Sequence, residues 1–588
     1  MNFIANETPE KLRGGYYTDP AIASYLARWA LAKPAAHVLE PSCGDGAFLT
    51  ALGSLRSDRL KSLTACELVP AEAAKARERL PKRRGCSTEV ICDDFLRWAQ
   101  DGPGMVPRFD AIVGNPPFIR YQYLTPESQH RAAAIFATLD LPFTKHTNAW
   151  VPFVLASLSL LRPGGRLAMV VPSELLHVLH AQAVRTHLLR TCSRVVVLDP
   201  EDIWFRGTLQ GVVLLLAERA LTPSSADVAV VRIQGSPSNL PEPEALFANT
   251  PVVPGKTLER KWTLALLDDH ERTLLDDLSN RRGFSRFGQV ANASVGIVTG
   301  ANQFFLVPDA TVEEFGLEQF AHAMFGRSDH VDGVIYDTAQ HERNRRSGRP
   351  TNFLWFSDED TKKTLPSGAL RYIERGEVDQ LHTRFKCRIR SPWYAVPSVF
   401  TAPVGMLKRS HDFPRLVLNK VGAFTTDTAY RVTPKNGISA GALVHTFVNS
   451  LTALSAELEG RHYGGGVLEL VPSEIARLVL PPVAGNGREL KALNSEMSER
   501  TLSAEALLAR GDARVLAEIL RPSEREALAG AWTRLRRRRQ RVAGQHEPDE
   551  TVRSHDLERK VGPSTRRKRV QPQLSLGYVD LGAEHGGE

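Results

Sequence analysis

The chain has 588 residues, 42% hydrophobic and 24% charged, an ordinary balance for a globular protein but too long for one domain, so about two to four are expected. No apolar run reaches the roughly 18 residues of a membrane-spanning helix, and the opening MNFIANETPEKLRGG lacks the apolar core of a secretory signal, so a soluble cytoplasmic protein is expected. The six cysteines (Cys43, Cys66, Cys86, Cys92, Cys192, Cys387) form no CxxC pair, which argues against a disulfide framework and a zinc site. The net charge of +8 is local: residues 534–569 hold 13 Lys/Arg against 5 Asp/Glu, and the remainder is balanced. A second basic window, 371–420, carries 10 basic against 4 acidic residues. Such a stripe suits a phosphate-binding face or a solvated surface equally well.

In chain order, strands are predicted at 37–39, 63–66, 90–92, 109–113, 167–171, 195–198 and 212–217. Helices are predicted between them at 47–55, 71–80, 150–161 and 174–189. The alternation predicts a parallel sheet covered by helices. Leu161-Arg-Pro-Gly-Gly-Arg166 reads as a helix end, a turn and a strand. Between 221 and 254 the composition shifts to Pro, Ser and short polar runs, which marks the exit from a first domain spanning 1–245. A second, mixed α/β region is expected over 246–485 and a helical extension over 486–530. A basic, disordered tail is expected over 531–588, where RLRRRRQR and STRRKR lie among Gly, Pro, Ser and Gln.

The strand at 109–113 runs into Asn115-Pro116-Pro117-Phe118. An aromatic amine is a poor nucleophile because its lone pair is delocalised into the ring. Accepting hydrogen bonds from both amino hydrogens holds the nitrogen closer to tetrahedral. The Asn115 side-chain oxygen and the Pro116 carbonyl suit that role, on a loop pre-set by two prolines. Phe118 offers a ring for stacking a base. Upstream, the first strand ends in Glu40-Pro41-Ser42-Cys43-Gly44-Asp45-Gly46, where glycines allow close backbone approach ahead of a helix N-terminus. Glu67 ends the second strand, where a carboxylate can bind ribose hydroxyls. Asp94-Phe95 ends the third, offering an acid and an aromatic for an adenine ring. Each acid taken singly also suits a helix N-cap.

These motifs, with Gly-Gly-Tyr-Tyr17-Thr18-Asp-Pro near the start, resemble the TaqI-like adenine-specific DNA methyltransferases of restriction–modification systems. The resemblance implies a class I S-adenosylmethionine methyltransferase fold, Rossmann-like with a seven-stranded, mostly parallel sheet. It is followed by a target-recognition domain. S-adenosylmethionine is the implied cofactor, contacted by Thr18, Glu40, Cys43, Gly44, Glu67, Asp94 and Phe95, with Tyr17, Pro41, Asp45 and Gly46 in the same motifs. Asn115, Pro116, Pro117 and Phe118 would hold a flipped adenine. The family's commonest form ends in tyrosine; Phe118 keeps the ring without the hydroxyl. Phe205, with Trp204 as rival, is the candidate for stacking on the other face of the base.

The resemblance runs from about Gly14 to Pro482. It takes in Val-Gly-Ile-Val-Thr-Gly300-Ala-Asn302, Ser-Pro-Trp393-Tyr394, Arg415-Leu-Val-Leu-Asn419-Lys420 and Arg461-His-Tyr463-Gly464-Gly-Gly. Trp393, Tyr394, Lys408, Arg409, Lys420, Arg461 and Tyr463 are the candidates for DNA contact. The expected partner is double-stranded DNA, with a separately encoded restriction endonuclease and no metal, in the bacterial cytosol or nucleoid. The tail is expected to strengthen non-specific DNA binding, so that truncation after Ala529 changes the salt dependence. Three rival readings stay open: the exocyclic amine of cytosine, an RNA or protein substrate, and a DNA-binding component without catalysis.

Overall fold

Nine strands form the principal sheet of the computed structural model: β1 (His37–Glu40), β2 (Ser62–Glu67), β3 (Ser87–Cys92), β4 (Phe109–Gly114), β5 (Leu161–Pro172), β6 (Cys192–Pro200), β7 (Val212–Arg219), β8 (Asp227–Ile233) and β9 (Val253–Pro254). Residues 18–541 are described, apart from 56–59, 103, 146, 206–210, 223–224, 259 and 436. The order is 3-2-1-4-5-7-6-8-9. β7 runs antiparallel to both its neighbours, β5 and β6, while β1 to β5 pair in parallel. The first seven strands are the mostly parallel sheet of a class I methyltransferase fold.

The central strands are apolar on both faces because both are covered. Val38, Leu63, Ala111, Val113, Ala168, Val170, Leu214 and Leu216 point into one core cluster. It is closed by α1 (Pro20–Leu31), α2 (Ala47–Ser54) and α3 (Pro70–Glu78). Their alternates Leu39, Ile112, Leu167, Met169, Val213 and Leu215 point into the other. That side is covered by α4 (Phe95–Asp101), α5 (Pro126–Thr138), α6 (Trp150–Leu160) and α7 (Gln182–Thr191). The helix expected over 174–189 is shorter: two 3-10 turns, Ser173–Leu176 and Leu179–Ala181, precede α7. Their apolar residues Leu175, Leu176 and Val178 are buried in the same core, which produced the helical pattern.

Two expectations for domain limits are corrected. The Pro- and Ser-rich stretch 221–254 is no exit linker. It supplies β8, parallel to β6, and β9, antiparallel to β8, so the sheet has nine strands and passes residue 245. α8 (Pro243–Asn249) lies between them, and its Glu244 takes two hydrogen bonds from the buried Arg166 of β5, at 2.7 and 2.8 Å. The second correction concerns 531–588. Residues 531–540 belong to α12 (Pro522–Gln540), the last of three helices with α10 (Gly487–Glu499) and α11 (Ala504–Val515). Arg534 pairs with Glu271 at 2.6 Å, Arg536 with Glu505 at 2.7 Å and Arg539 with Glu457 at 2.7 Å. Arg538 and Arg541 share Asp199. The carboxylates that order this run come from as far as 342 positions earlier. Residues 542–588 lie outside the described residues.

Beyond the principal sheet, β10 (Ala291–Val295), β11 (Ile335–Tyr336), β12 (Val404–Leu407), β13 (Leu416–Asn419) and β14 (Ala429–Pro434) form a second sheet in the order 10-14-12-13-11. α9 (Ser450–Glu459) is buried along most of its length and packs chiefly against α12. Leu451 and Leu454 of α9, with Trp532 and Leu535 of α12, join the same apolar cluster as α6 and α7. Among the described residues no helix is long and apolar enough to cross a membrane.

Cutting the chain after Ala529 should therefore unfold it. The cut removes Trp532, Leu535 and the paired arginines, and a buried tryptophan alone is worth about 3–5 kcal/mol. A cut after Arg541 keeps every described element. Thermal melting should separate the two, with a large loss for the first and none for the second, so only the second can test a tail contribution to DNA binding.

Candidate functional site

The strand order reverses at β1, which pairs with β2 on one side and β4 on the other. Ligands of open α/β sheets bind beyond the carboxyl ends of the strands at such a point. Two of the motif loops leave from there side by side: β1 ends at Glu40 and β4 at Gly114. The Ser42 hydroxyl donates to the Asn115 carbonyl at 3.0 Å. The Asn115 Nδ2 donates to the Thr18 Oγ1 at 3.2 Å. Thr18 is buried, one residue before Asp19, which caps α1 by accepting from the Ala21 N–H at 2.8 Å. The amide of Asn115 is thus oriented by Thr18, two residues ahead of the first described helix. Phe118 is partly buried and packs against both core clusters. Tyr17 lies outside the described residues.

In the first loop Gly44 and Gly46 adopt left-handed backbone, at φ +52° and +95°. A Cβ on Gly46 would stand 3.2 Å from the Ala76 Cα, so a side chain there is doubly disfavoured. Glu67 braces the turn: its Oε2 accepts from the Gly44 N–H at 2.9 Å and its Oε1 from the Val69 N–H at 2.8 Å. Pro41 and Cys43 are buried, and Asp45 is engaged by Arg79 at 2.7 Å. Asp94 caps α4 through the Leu96 N–H at 2.8 Å and accepts from the Ser128 hydroxyl at 2.6 Å. Phe95 is buried and packs on Phe153, with ring centroids 5.1 Å apart. Phe205 is buried in the cluster against which Phe118 packs. Trp204 is only partly buried and donates to the Gly235 carbonyl at 2.9 Å.

The candidates for DNA contact divide. Trp393 and Tyr394 are core residues: Trp393 packs on Phe304 at 5.0 Å and donates to Glu377, and the Tyr394 hydroxyl donates to the Asp360 carbonyl at 2.8 Å. As placed, they offer no surface to a duplex, because nearby aromatics and acceptors satisfy them. Arg461 is committed to the buried Glu474 at 3.1 Å. Lys408 and Arg409 both face Glu469, at 3.6 and 2.8 Å, and Lys420 is exposed. Tyr463 is 41% exposed and lines a small open cleft with Ser173, just past β5, and Gly211, before β7.

Two family models match the chain. "Eco57I restriction-modification methylase" covers 64–203, and "Type II methyltransferase M.Eco57I, C-terminal domain" covers 259–516. The type II methyltransferase M.AccI of Acinetobacter calcoaceticus is 23% identical over 481 residues, 78% of this chain and 84% of that one. M.XamI of Xanthomonas campestris pv. amaranthicola is 23% identical over 475 residues, 80% and 85% of the two chains. The chain belongs to the restriction–modification methyltransferases. Its fold also matches the type IIL restriction–modification enzyme MmeI, solved in complex with DNA, with a TM-score of 0.50 and 12% identity, over 85% of this chain and 69% of that one.

Methyltransferases of this kind require a methyl donor, and the first loop fits a cationic one. Glu40 is 1% exposed, and its Oε2 has no hydrogen-bond partner among the described residues. Burial, then the charges of Glu67 and Asp45, hold its carboxyl well above the usual carboxylate range. An ionised Glu40 is therefore a cost to the unliganded methyltransferase that a positive ligand would offset.

A raised folded-state pKa contributes stability at low pH that is lost as pH rises through it. Glu40→Gln should raise the melting temperature of the unliganded protein at pH ~8 by about 1–3 °C and weaken S-adenosylmethionine binding at least about tenfold. Calorimetry and thermal melting read both. A variant that binds the cofactor like the parent would show that Glu40 does not face it.

Ser42 and Ser128 were not singled out from the sequence. Ser42 sits between Pro41 and Cys43 inside a motif that was, and that position was the available signal. Ser128 is first-turn residue of α5 with no motif around it, so only the fold reveals its bond to Asp94.

Proposed function

We propose that the chain transfers a methyl group from S-adenosylmethionine to N6 of an adenine flipped out of double-stranded DNA, as the modification enzyme of a restriction–modification system. The observation that carries this reading is the meeting of the Asn115 loop with the Glu40–Gly46 motif where the strand order reverses, the two joined through Ser42, with Thr18 holding the Asn115 amide. Glu40 would receive the positive charge of the cofactor, Glu67 its ribose hydroxyls, and Asp94 with the wall containing Phe95 its adenine. S-adenosylmethionine supplies a methyl group on cationic sulfur, so the leaving group is already activated and alignment dominates.

The Asn115 side-chain oxygen and the Pro116 carbonyl accept hydrogen bonds from the target amine and localise its lone pair. Pro117 keeps the loop rigid, and Phe118 and Phe205 flank the base. The acceptors stabilise charge that develops on the amine during transfer, which is where fixed dipoles have their largest effect. A separately encoded nuclease of the same specificity is the expected counterpart.

The test is methyl transfer from labelled S-adenosylmethionine to unmethylated genomic DNA, with Asn115→Ala as control and mass spectrometry of the digested nucleosides. N6-methyladenine formed by the parent and lost in the variant is the expected result. N4-methylcytosine would overturn the base assignment and keep the chemistry. No transfer to DNA by cofactor-bound protein would overturn the substrate.

A further inference from the structure

Residues 384–390 of the second region combine exposed apolar groups with unpaired positive charge. Phe385 is 62% and Ile389 64% exposed. Arg384, Lys386 and Arg388 alternate with them and are exposed. None of the three enters an ion pair with a described residue, although Lys386 and Arg388 each lie 5.5 Å from the centre of the Phe385 ring. The arginines at the end of α12 are the contrast: Arg534, Arg536, Arg538 and Arg539, with Arg541 just past the helix, all meet carboxylates of the fold.

The segment has a firm footing. Between the exposed residues, Cys387 is buried. Arg390 donates to the Thr299 and Val298 carbonyls at 2.7 and 2.6 Å. At Gly300, with φ +80°, a Cβ would come within 2.7 Å of the Lys386 Cβ, so the backbone of the Gly-Ile-Val-Thr-Gly turn seats the segment directly. That contact gives the Gly-Ile-Val-Thr-Gly turn a physical use.

We propose that this basic, aromatic ridge is a docking surface for the DNA duplex, with Arg384, Lys386 and Arg388 on phosphates and Phe385 and Ile389 against the groove or a base step. Three uncompensated cations on one ridge match a polyanion, and they leave no carboxylates to satisfy a basic protein partner. Apolar side chains held between cations suit a duplex, whose sugars and base edges lie between its phosphates. The inference rests on DNA being the substrate and replaces the buried Trp393 and Tyr394 as the point of contact.

The test uses the full chain and a duplex that the parent methylates. Binding is measured by fluorescence anisotropy across a salt series. For Arg384→Gln/Lys386→Gln/Arg388→Gln the slope of log K against log salt should fall by about 2.7, three contacts at roughly 0.9 each. Cofactor binding and melting temperature should match the parent. Phe385→Ala should weaken binding at every salt concentration without changing the slope. Should the triple variant not fold, Arg388→Gln alone decides, with an expected fall of about 0.9. A parent-like slope overturns the surface while methylation of DNA by the parent leaves the substrate assignment standing. A parent that methylates no DNA overturns both.

Discussion

Replacing Asn115 by alanine should lower kcat for methyl transfer by about 10²–10³-fold or more, the range for removing one preorganised hydrogen-bonding group from a transition state. Cofactor affinity should stay within about threefold of the parent, because Asn115 faces the acceptor rather than the donor in this reading. The variant to set beside it is Asn115→Asp, which keeps an acceptor oxygen but loses the Nδ2 donation to Thr18 at 3.2 Å. It should retain more activity than alanine, since the acceptor acts on the amine and the Thr18 contact only orients it. Thr18→Val should fall between the parent and Asn115→Asp. Single-turnover transfer with saturating DNA and cofactor isolates the chemical step. Equal loss in the alanine and aspartate variants would mean that orientation, and not hydrogen-bond acceptance, is what Asn115 contributes.

The placement of the candidate site's residues was legible because they sit at strand ends, where composition and position coincide. Strands at 37–39, 63–66 and 109–113 were short apolar runs bounded by Glu40, Glu67 and Asn115, and the structure finds those residues at or just beyond the ends of β1, β2 and β4. What failed depended on partners distant in sequence. Trp393 and Tyr394 read as surface aromatics because nothing local shows Phe304 closing over one or the Asp360 carbonyl taking the hydroxyl of the other. The run 534–541 read as disordered because unpaired arginines repel; Asp199, Glu271 and Glu457, which pair with it, are far upstream. β8 was obscured by the Pro and Ser around it, although Asp-Val-Ala-Val-Val-Arg-Ile is a strand once β6 supplies a parallel neighbour.

The second large effect is expected at Arg539. Its side chain and that of Glu457 are fully buried, with Arg539 Nε to Glu457 Oε2 at 2.9 Å and Nη2 to Oε1 at 2.7 Å. The remaining guanidinium protons go to backbone: the His411 carbonyl at 2.7 Å, the Asp412 carbonyl at 3.0 Å, and the Gly466 carbonyl. One side chain thus ties α12 to α9, to residues 411–412 and to the Gly464–Gly466 turn. Arg539→Ala leaves the buried Glu457 carboxylate without its guanidinium and the Asp412 and Gly466 carbonyls without a donor, while the His411 carbonyl keeps its bond from the Gln540 amide at 2.7 Å. Removing one partner of a buried pair costs about 3–5 kcal/mol.

Arg539→Met with Glu457→Leu should recover most of that loss, because desolvating the pair offsets much of its attraction. The carbonyls left without a donor should keep the double variant somewhat below the parent. Denaturant melts of the three proteins decide it. If the double variant is no more stable than Arg539→Ala, the backbone hydrogen bonds, and not the charge of Glu457, hold α12 in place.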